Sequence, residues 1–154
     1  MKNGDPFAGK VRVRSSALII KDNGILLVKQ RVPTRKQEIW LPPGGAVMLG
    51  ETSKKSLKRE VFEETNLQVK SSRLRYIHEF IEPPYHAIEL YFVVEEVHGE
   101  VKTGSDPELG KENQQIVESA FISLYNINRL NLYPEFLKRE IASNNVSLPG
   151  IKHF

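Results

Sequence analysis

The segment from Pro42 to Leu67, PPGGAVMLGETSKKSLKREVFEETNL, constrains the fold of this 154-residue chain more than any other. It opens with prolines and glycines, which interrupt regular secondary structure. It then continues as a helix-forming sequence, with Thr52 or Ser53 as the N-cap. We therefore predict a glycine-rich loop that leads directly into a helix over residues 53–65.

Three glutamates, Glu60, Glu63 and Glu64, fall on one side of this helix, because successive helical residues turn by ~100°. Leu57 and Val61 lie beside them and are expected to anchor the helix to a sheet. Like charges at this spacing repel, and a bound cation removes the repulsion. The chain has no cysteine, so carboxylate oxygens favour Mg²⁺ or Mn²⁺ over zinc. The alternative is a solvated helix face that binds no metal.

The neighbouring residues fit the same metal-site hypothesis. Gly44 and Gly45 lack a Cβ atom, so their backbone can approach a ligand closely, and the Gly44 carbonyl is a candidate metal ligand. Arg59 directly precedes Glu60, and an arginine fork can hold a carboxylate in one orientation. The sequence therefore predicts a hard-cation site at the junction of loop and helix.

The spacing resembles the Nudix box, G-x5-E-x7-R-E-U-x-E-E-x-G-U, where U is aliphatic. One fixed position departs from it, since Asn66 stands where the pattern has glycine. Asparagine is the non-glycine residue that best tolerates the left-handed conformation expected at this helix end. The residues that match are Gly45, Glu51, Arg59, Glu60, Val61, Glu63, Glu64 and Leu67.

The resemblance implies a metal-dependent pyrophosphohydrolase that cleaves a nucleoside diphosphate linked to another group. It implies that Glu60, Glu63 and Glu64 are metal ligands or the general base, and that Arg59 orients a glutamate. The resemblance also implies that Glu51 is a supporting partner of these residues. The alternative is a catalytically weak nucleotide-binding or regulatory module with the same fold, although such modules usually lose the glutamates that are present here.

Many Nudix proteins also recruit a glutamate from a late loop, as metal ligand or base. The long loop of this chain offers Glu112 and, as a second choice, Glu108. The loop contains Gly104, Asp106 and Pro107, which predict an exposed and mobile segment. Which glutamate is the general base stays open at this stage.

The remaining patterns predict a mixed α+β single domain over residues 1–154, with 1–10 as a loosely ordered N-terminal segment. The resemblance implies the α/β/α sandwich with a mixed sheet. A hairpin turn is predicted at Asp22–Gly24. We predict strands over VRVRSSALII, ILLVKQ, RLRYIHEFIE, AIELYFVVEEV and VESAFISL, an exposed basic loop over RVPTRKQEIW, a polar loop over HGEVKTGSDPELGKENQQ, and a last helix over YPEFLKREIASNN that is started by Pro134.

Composition narrows the class of protein but not the substrate. Hydrophobic residues make up 40% and charged residues 27% of the chain, with a net charge of +3, which is ordinary for a globular protein. No apolar run is long enough for a membrane span and the first residues lack a signal-peptide pattern, so we predict a cytoplasmic protein. A nucleic acid is an expected partner only as capped RNA substrate. The oligomeric state is open, with a homodimer as one possibility.

Four residues are candidates for substrate binding. Arg31 and Arg35 lie in the basic loop and can meet phosphates, although most such loops are simply solvated. Trp40 can stack on a base or pack in the core. Tyr85 is placed in a turn, PPYHA, and can line a pocket or pack locally. The sequence does not separate nucleoside triphosphates from ADP-ribose or other nucleoside diphosphate derivatives.

Overall fold

The computed structural model describes residues 5–32, 36–107, 109 and 114–154. Over these residues the chain forms two α-helices, α1 Ser53–Thr65 and α2 Phe136–Ala142, and a 3₁₀ helix at Leu124–Arg129. The strands are β1 Val11–Leu18, β2 Ile20–Lys21, β3 Gly24–Val32, β4 Gln37–Leu41, β5 Gly44–Ala46, β6 Gln68–Glu82, β7 Tyr85–His98, β8 Ile116–Ser123 and β9 Lys152–His153.

A mixed five-stranded sheet forms the centre of the molecule, in the order β5-β1-β7-β6-β9. Strands β1 and β7 run parallel, whereas β5 pairs with β1 and β6 pairs with β7 in antiparallel fashion. A second, antiparallel sheet joins β2, β3 and β4, with β8 also paired to β3. The predicted α+β class with a mixed sheet is confirmed.

The two faces of the five-stranded sheet carry separate cores. Helix α1 covers one face, where Leu57 and Val61 are fully buried as predicted. The second face is covered by the 3₁₀ helix and α2. The core under α1 contains Ala17, Ile19, Leu26, Leu57, Val61, Leu67, Val69 and Phe92. The other core contains Leu18, Ile25, Leu27, Tyr76, Tyr91, Ile127, Leu132, Phe136, Leu137 and Val146.

Most local predictions are confirmed. Helix α1 has the predicted bounds, and Thr52 is its N-cap, with the side chain accepting a hydrogen bond from the Lys55 amide at 3.2 Å. Asp22 and Asn23 have φ angles of 51° and 58°, as a tight hairpin turn requires. Within the described ranges, no helix has both the length and the apolar character needed to cross a bilayer.

Three local predictions are wrong. Residues Gln37–Leu41 form strand β4 rather than loop, because their backbone pairs with β3 while the charged side chains stay exposed. Tyr85 begins strand β7 instead of lying in a turn, which Pro83 and Pro84 form. The last helix, predicted over residues 133–145 with Pro134 as its start, spans only Phe136–Ala142. A short strand β9, which pairs with β6, is not among the predicted elements.

Helix α1 ends in a left-handed residue, as predicted. Asn66 has φ 66° and ψ 7°, and its amide donates to the Phe62 carbonyl at 2.9 Å. Its side-chain Nδ2 donates to the Glu100 carbonyl at 3.2 Å. Asn66 therefore both ends the helix and contacts the loop that follows β7.

We expect Asn66→Val to lower the free energy of unfolding by about 1–2 kcal/mol, because a β-branched residue is the least able to adopt positive φ. Asn66→Gly should stay within about 0.5 kcal/mol of the parent, since glycine accepts this conformation and the lost bond is exposed. Urea unfolding of both variants measures the difference. Equal stability of the valine variant and the parent would contradict the role given to Asn66.

Candidate active site

Arg59 is the centre of the predicted site. Its Nε and one terminal nitrogen donate to the two oxygens of Glu51 at 2.8 Å and 3.0 Å, a bidentate pair. The other terminal nitrogen donates to Glu60 at 2.7 Å and to Glu63 at 3.3 Å. A further bond of 3.0 Å reaches the carbonyl of Ala46 in strand β5. The guanidinium thus joins three carboxylates of the motif to the glycine strand.

Glu51 is held ionised by this arrangement. The hydrogen bonds from Arg59 lower the pKa of Glu51 to about 2, and the Met48 amide adds a 3.1 Å bond to the same carboxylate. The structure therefore places Glu51 as a partner of Arg59 and of the loop that precedes the helix. This geometry fits the supporting role that the resemblance implies.

The Glu60 carboxylate lies directly against Gly45. A Cβ atom added to Gly45 would come within 2.4 Å of the Glu60 carboxyl carbon. Glu60 is 9% exposed, and burial raises its pKa, which the contact with Arg59 only partly offsets. Glycine is therefore required at position 45 because the carboxylate occupies the space of a side chain.

Glu64 is buried on the same side of the helix. One of its oxygens accepts a 3.0 Å hydrogen bond from the Gly44 amide. Burial raises the pKa of the Glu64 carboxyl to about 8, and the charge of Glu60 adds to the rise. The Ser119 hydroxyl of β8 donates to the Glu64 carbonyl at 2.8 Å, which fixes this end of the helix. Glu64 is thus a buried carboxyl without a cationic partner in direct contact among the described residues.

The start of the long loop is attached to the helix end, against the prediction of an exposed and mobile segment. The amides of Lys102, Gly104 and Ser105 donate to the carbonyls of Thr65, Glu64 and Glu63 at 2.9, 2.9 and 3.3 Å. A Cβ atom on Gly104 would come within 1.8 Å of the Glu63 carbonyl oxygen. These bonds satisfy helix carbonyls that have no partner within the helix.

This attachment brings a further acidic residue to the site, which the sequence did not single out. The charge of Asp106 raises the pKa of both Glu60 and Glu64. The Asp106 backbone is held by the Gln114 side chain, which accepts from the Asp106 amide and donates to its carbonyl, both at 2.7 Å. In the sequence, Gly104 is the residue that indicates this contact. It lies two residues before Asp106, and a loop glycine can mark a close approach of two backbone segments.

The candidate substrate residues lie in different surroundings. Arg31 pairs with Glu38 at 3.7 Å and is largely exposed. Trp40 packs against the core on the face away from α1, with the Lys29 ammonium 5.3 Å from its ring centre. The Tyr85 hydroxyl donates to Asp5 of the N-terminal segment. Three predicted residues, Arg35, Glu108 and Glu112, lie outside the described residues.

The donors of the site suit a hard divalent cation. Glu60 and Glu64 are buried carboxyls whose pKa is raised by burial, which Arg59 offsets only in part at Glu60, and hard oxygen donors of this kind fit Mg²⁺ or Mn²⁺. Over the described ranges, no three acidic or histidine side chains are already gathered as a metal cluster. Arg59 contacts Glu60 and Glu63 instead.

Comparison with known proteins identifies the family of this chain. The NUDIX domain model matches residues 10–136. The chain is 35% identical over 120 residues to the ADP-ribose pyrophosphatase of Methanocaldococcus jannaschii, covering 77% of this chain and 65% of that protein. It is 40% identical over 76 residues to the 8-oxo-dGTP diphosphatase of Buchnera aphidicola subsp. Schizaphis graminum, covering 49% of this chain and 55% of that protein.

The fold agrees with this match. The solution structure of the E. coli ORF135 protein superposes with a TM-score of 0.71 at 19% identity, over 92% of this chain and 95% of that one. This similarity concerns the fold alone, and the chain spans less than two thirds of either curated relative. Because the family model covers most of the chain and coincides with the Arg59-centred site, the protein belongs to the NUDIX domain family.

Proposed function

We propose that this protein is a metal-dependent pyrophosphohydrolase that cleaves a nucleoside diphosphate linked to another group, by attack of water on phosphorus. The observation that carries the proposal is the pair of buried carboxyls, Glu60 and Glu64, held against the glycine strand. Family membership and the names of the two curated relatives support a pyrophosphate bond as the target.

ADP-ribose is the first substrate to test. The match to the ADP-ribose pyrophosphatase extends over 120 residues, whereas the match to the 8-oxo-dGTP diphosphatase extends over 76. The longer match includes more of the chain outside the motif, where substrate-specific contacts are expected. Nucleoside triphosphates and capped RNA are the other members of the panel.

The carboxylates of Glu60, Glu63 and Glu64, with the Gly44 carbonyl, would hold Mg²⁺ or Mn²⁺. A bound ion of this kind neutralises phosphate charge and makes a water molecule more acidic. The chain's own contribution is to hold the ligands in place. Arg59 fixes two of the carboxylates, and the Gly44 amide fixes one oxygen of Glu64.

The general base is one of three acidic residues in this proposal. Glu60 is buried beside Gly45, and burial raises its pKa, which makes the carboxylate a better proton acceptor. Asp106 approaches from the loop and acts electrostatically on Glu60 and Glu64. Glu112 remains the third candidate. Single Gln or Asn substitutions at these positions, compared by kcat, identify the base.

Hydrolysis of the panel should need a divalent cation and should release a nucleoside monophosphate. We expect turnover of at least one substrate with Mg²⁺ or Mn²⁺ and none in excess EDTA, because the diphosphate charge is then not neutralised. Product release is followed by chromatography or phosphate detection. Turnover that is unchanged in EDTA contradicts the proposal, and binding without turnover of any substrate favours a nucleotide-binding module instead.

Glu64→Gln and Glu60→Gln should each lower kcat by ~10²-fold or more, because an amide is a poor metal ligand and cannot accept the proton. The fold should survive, since the substitutions relieve repulsion between buried carboxylates. Glu100→Gln, an exposed acid, is the control and should keep normal kcat. Near-normal kcat in both glutamine variants, measured with Mg²⁺, would remove these two residues from the site.

Replacing Gly44 or Gly45 by alanine should affect stability and activity to different extents. A Cβ on Gly44 meets the Ser15 carbonyl oxygen at 2.2 Å, whereas a Cβ on Gly45 meets the end of the Glu60 side chain. Backbone cannot yield easily, so we expect Gly44→Ala to lower the free energy of unfolding by about 1–3 kcal/mol. Gly45→Ala should be less destabilising but should lower kcat by displacing Glu60. Thermal unfolding and kinetics of both variants test this contrast, and the reverse pattern would contradict it.

A further inference from the structure

A row of charged and aromatic side chains crosses the five-stranded sheet on the face away from α1. Arg14 of β1 lies opposite Glu89 of β7, and Glu89 lies beside His78 of β6 in the strand register. On its other side Arg14 lies opposite Ala46, the residue that follows Gly44 and Gly45. The row therefore begins at the glycine strand of the proposed site.

Glu89 is the main acceptor of this row, although its three hydrogen bonds all go to one of its two oxygens and the other oxygen faces Arg14. It is 3% exposed, and one of its oxygens accepts from His78 Nδ1 at 2.8 Å and from the hydroxyls of Tyr91 and Tyr133 at 3.1 Å each. Burial alone raises the pKa of Glu89, but the bond from His78 and the charge of Arg14 outweigh burial and lower it. Glu89 is thus a fixed buried anion.

Arg14 differs from Glu89, because one of its buried donors is unused. Its Nε has no hydrogen-bond partner among the described residues. Its nearest contact to Glu89 is 3.6 Å, beyond hydrogen-bonding distance. A guanidinium carries five N–H donors, and a buried donor without an acceptor is costly and rare in folded proteins. The Arg14 side chain keeps 20% of its surface exposed, so a ligand from solvent can reach it.

Arg14 also lies within electrostatic reach of the proposed metal ligands. The charge of Glu64 raises the pKa of Arg14, and the charge of Arg14 lowers the pKa of Glu64. The arginine therefore lies opposite the buried anion Glu89 in the strand register and acts electrostatically on Glu64 of the proposed site. A planar fork with an unused donor suits the oxygens of a phosphate group.

We propose that Arg14 is a substrate-binding residue whose guanidinium binds the diphosphate of the substrate, and that Glu89 is a positioning residue that holds Arg14 for this task. This inference rests on the proposed function for the nature of its ligand. It assigns the contact to an arginine of the sheet rather than to the exposed basic loop that contains Arg31.

A purely structural ion pair between Arg14 and Glu89 is the competing explanation. Such pairs contribute when geometry is good and the remaining donors are satisfied. Here the separation is 3.6 Å and Nε has no partner among the described residues. The hydrogen bonds from His78, Tyr91 and Tyr133 all go to the Glu89 oxygen that does not face Arg14. The pair therefore supplies no acceptor for the buried Nε donor of Arg14.

The test measures anion binding separately from turnover. Inorganic pyrophosphate and ADP are titrated into the full chain by calorimetry, with and without Mg²⁺, and KM and kcat are measured on the substrate that the panel identifies. For Arg14→Gln we expect a rise of about tenfold to 100-fold in the Kd of both probes and in KM, since a hydrogen bond to a charged group is lost. Arg139→Gln, which removes an exposed arginine charge on α2, is the matched control and should change neither.

Two further variants complete the test. One keeps the inference testable if Arg14→Gln does not fold, and the other tests the positioning role of Glu89. Arg14→Lys keeps the charge beside Glu89 but loses the fork, so it should fold and still weaken pyrophosphate binding. Glu89→Gln should raise KM less than Arg14→Gln does, with kcat little changed. Circular dichroism and thermal unfolding establish that each variant is folded.

The outcomes separate the two proposals. Turnover by the parent with unchanged Kd and KM in folded Arg14→Gln or Arg14→Lys overturns this inference and leaves the proposed function standing. Loss of folding in both Arg14 variants assigns the residue to the structural pair and also overturns the inference. Binding of pyrophosphate that depends on Arg14, without turnover of any substrate, supports the inference and removes the enzymatic function.

Discussion

The contacts of one guanidinium hold the site of this protein together. Arg59 binds both oxygens of Glu51, one oxygen each of Glu60 and Glu63, and the carbonyl of Ala46. Without this cation, the carboxylates of Glu51, Glu60 and Glu63 would repel one another. Proximity to these anions raises the pKa of Arg59, so its charge is retained at every pH at which the protein is folded. Its bond to Ala46 adds to the contacts of Ser56 and Glu64 that hold α1 against β5.

The structural features that the sequence predicted depend on neighbouring residues or on the spacing of residues along one helix. The bounds of α1, its Thr52 cap and the left-handed Asn66 follow from residue preferences within a few positions. The tight turn at Asp22 and Asn23 has the same origin. The contact of Arg59 with Glu63 is a one-turn neighbour pair of a helix, which the spacing already contains.

The parts that were missed depend on residues far apart in the chain. Gln37–Leu41 is polar by composition and becomes a strand only because β3 lies beside it. The loop at Gly104 is held by helix carbonyls some 40 positions away, and within the loop only the glycine itself marks that contact. Arg14 lies 64 positions before His78 and 75 positions before Glu89, and a hairpin joins the strands of His78 and Glu89. Only the register of β1, β7 and β6 brings the three residues into one row.

The glycine strand separates buried charges of opposite sign. On the helix side lie Glu60 and Glu64, whose pKa values are raised by burial. On the other face lies Arg14 with an unpartnered Nε. The burial of each group is only partly compensated, because Arg59 and the Gly44 amide offset part of the cost at the carboxyls and the Arg14 Nε has no acceptor among the described residues. A divalent cation would satisfy the carboxyls, and the diphosphate anion that accompanies it would satisfy the arginine. Binding both ligands together therefore relieves two unfavourable features that neither ligand relieves alone, so each ligand should favour the binding of the other.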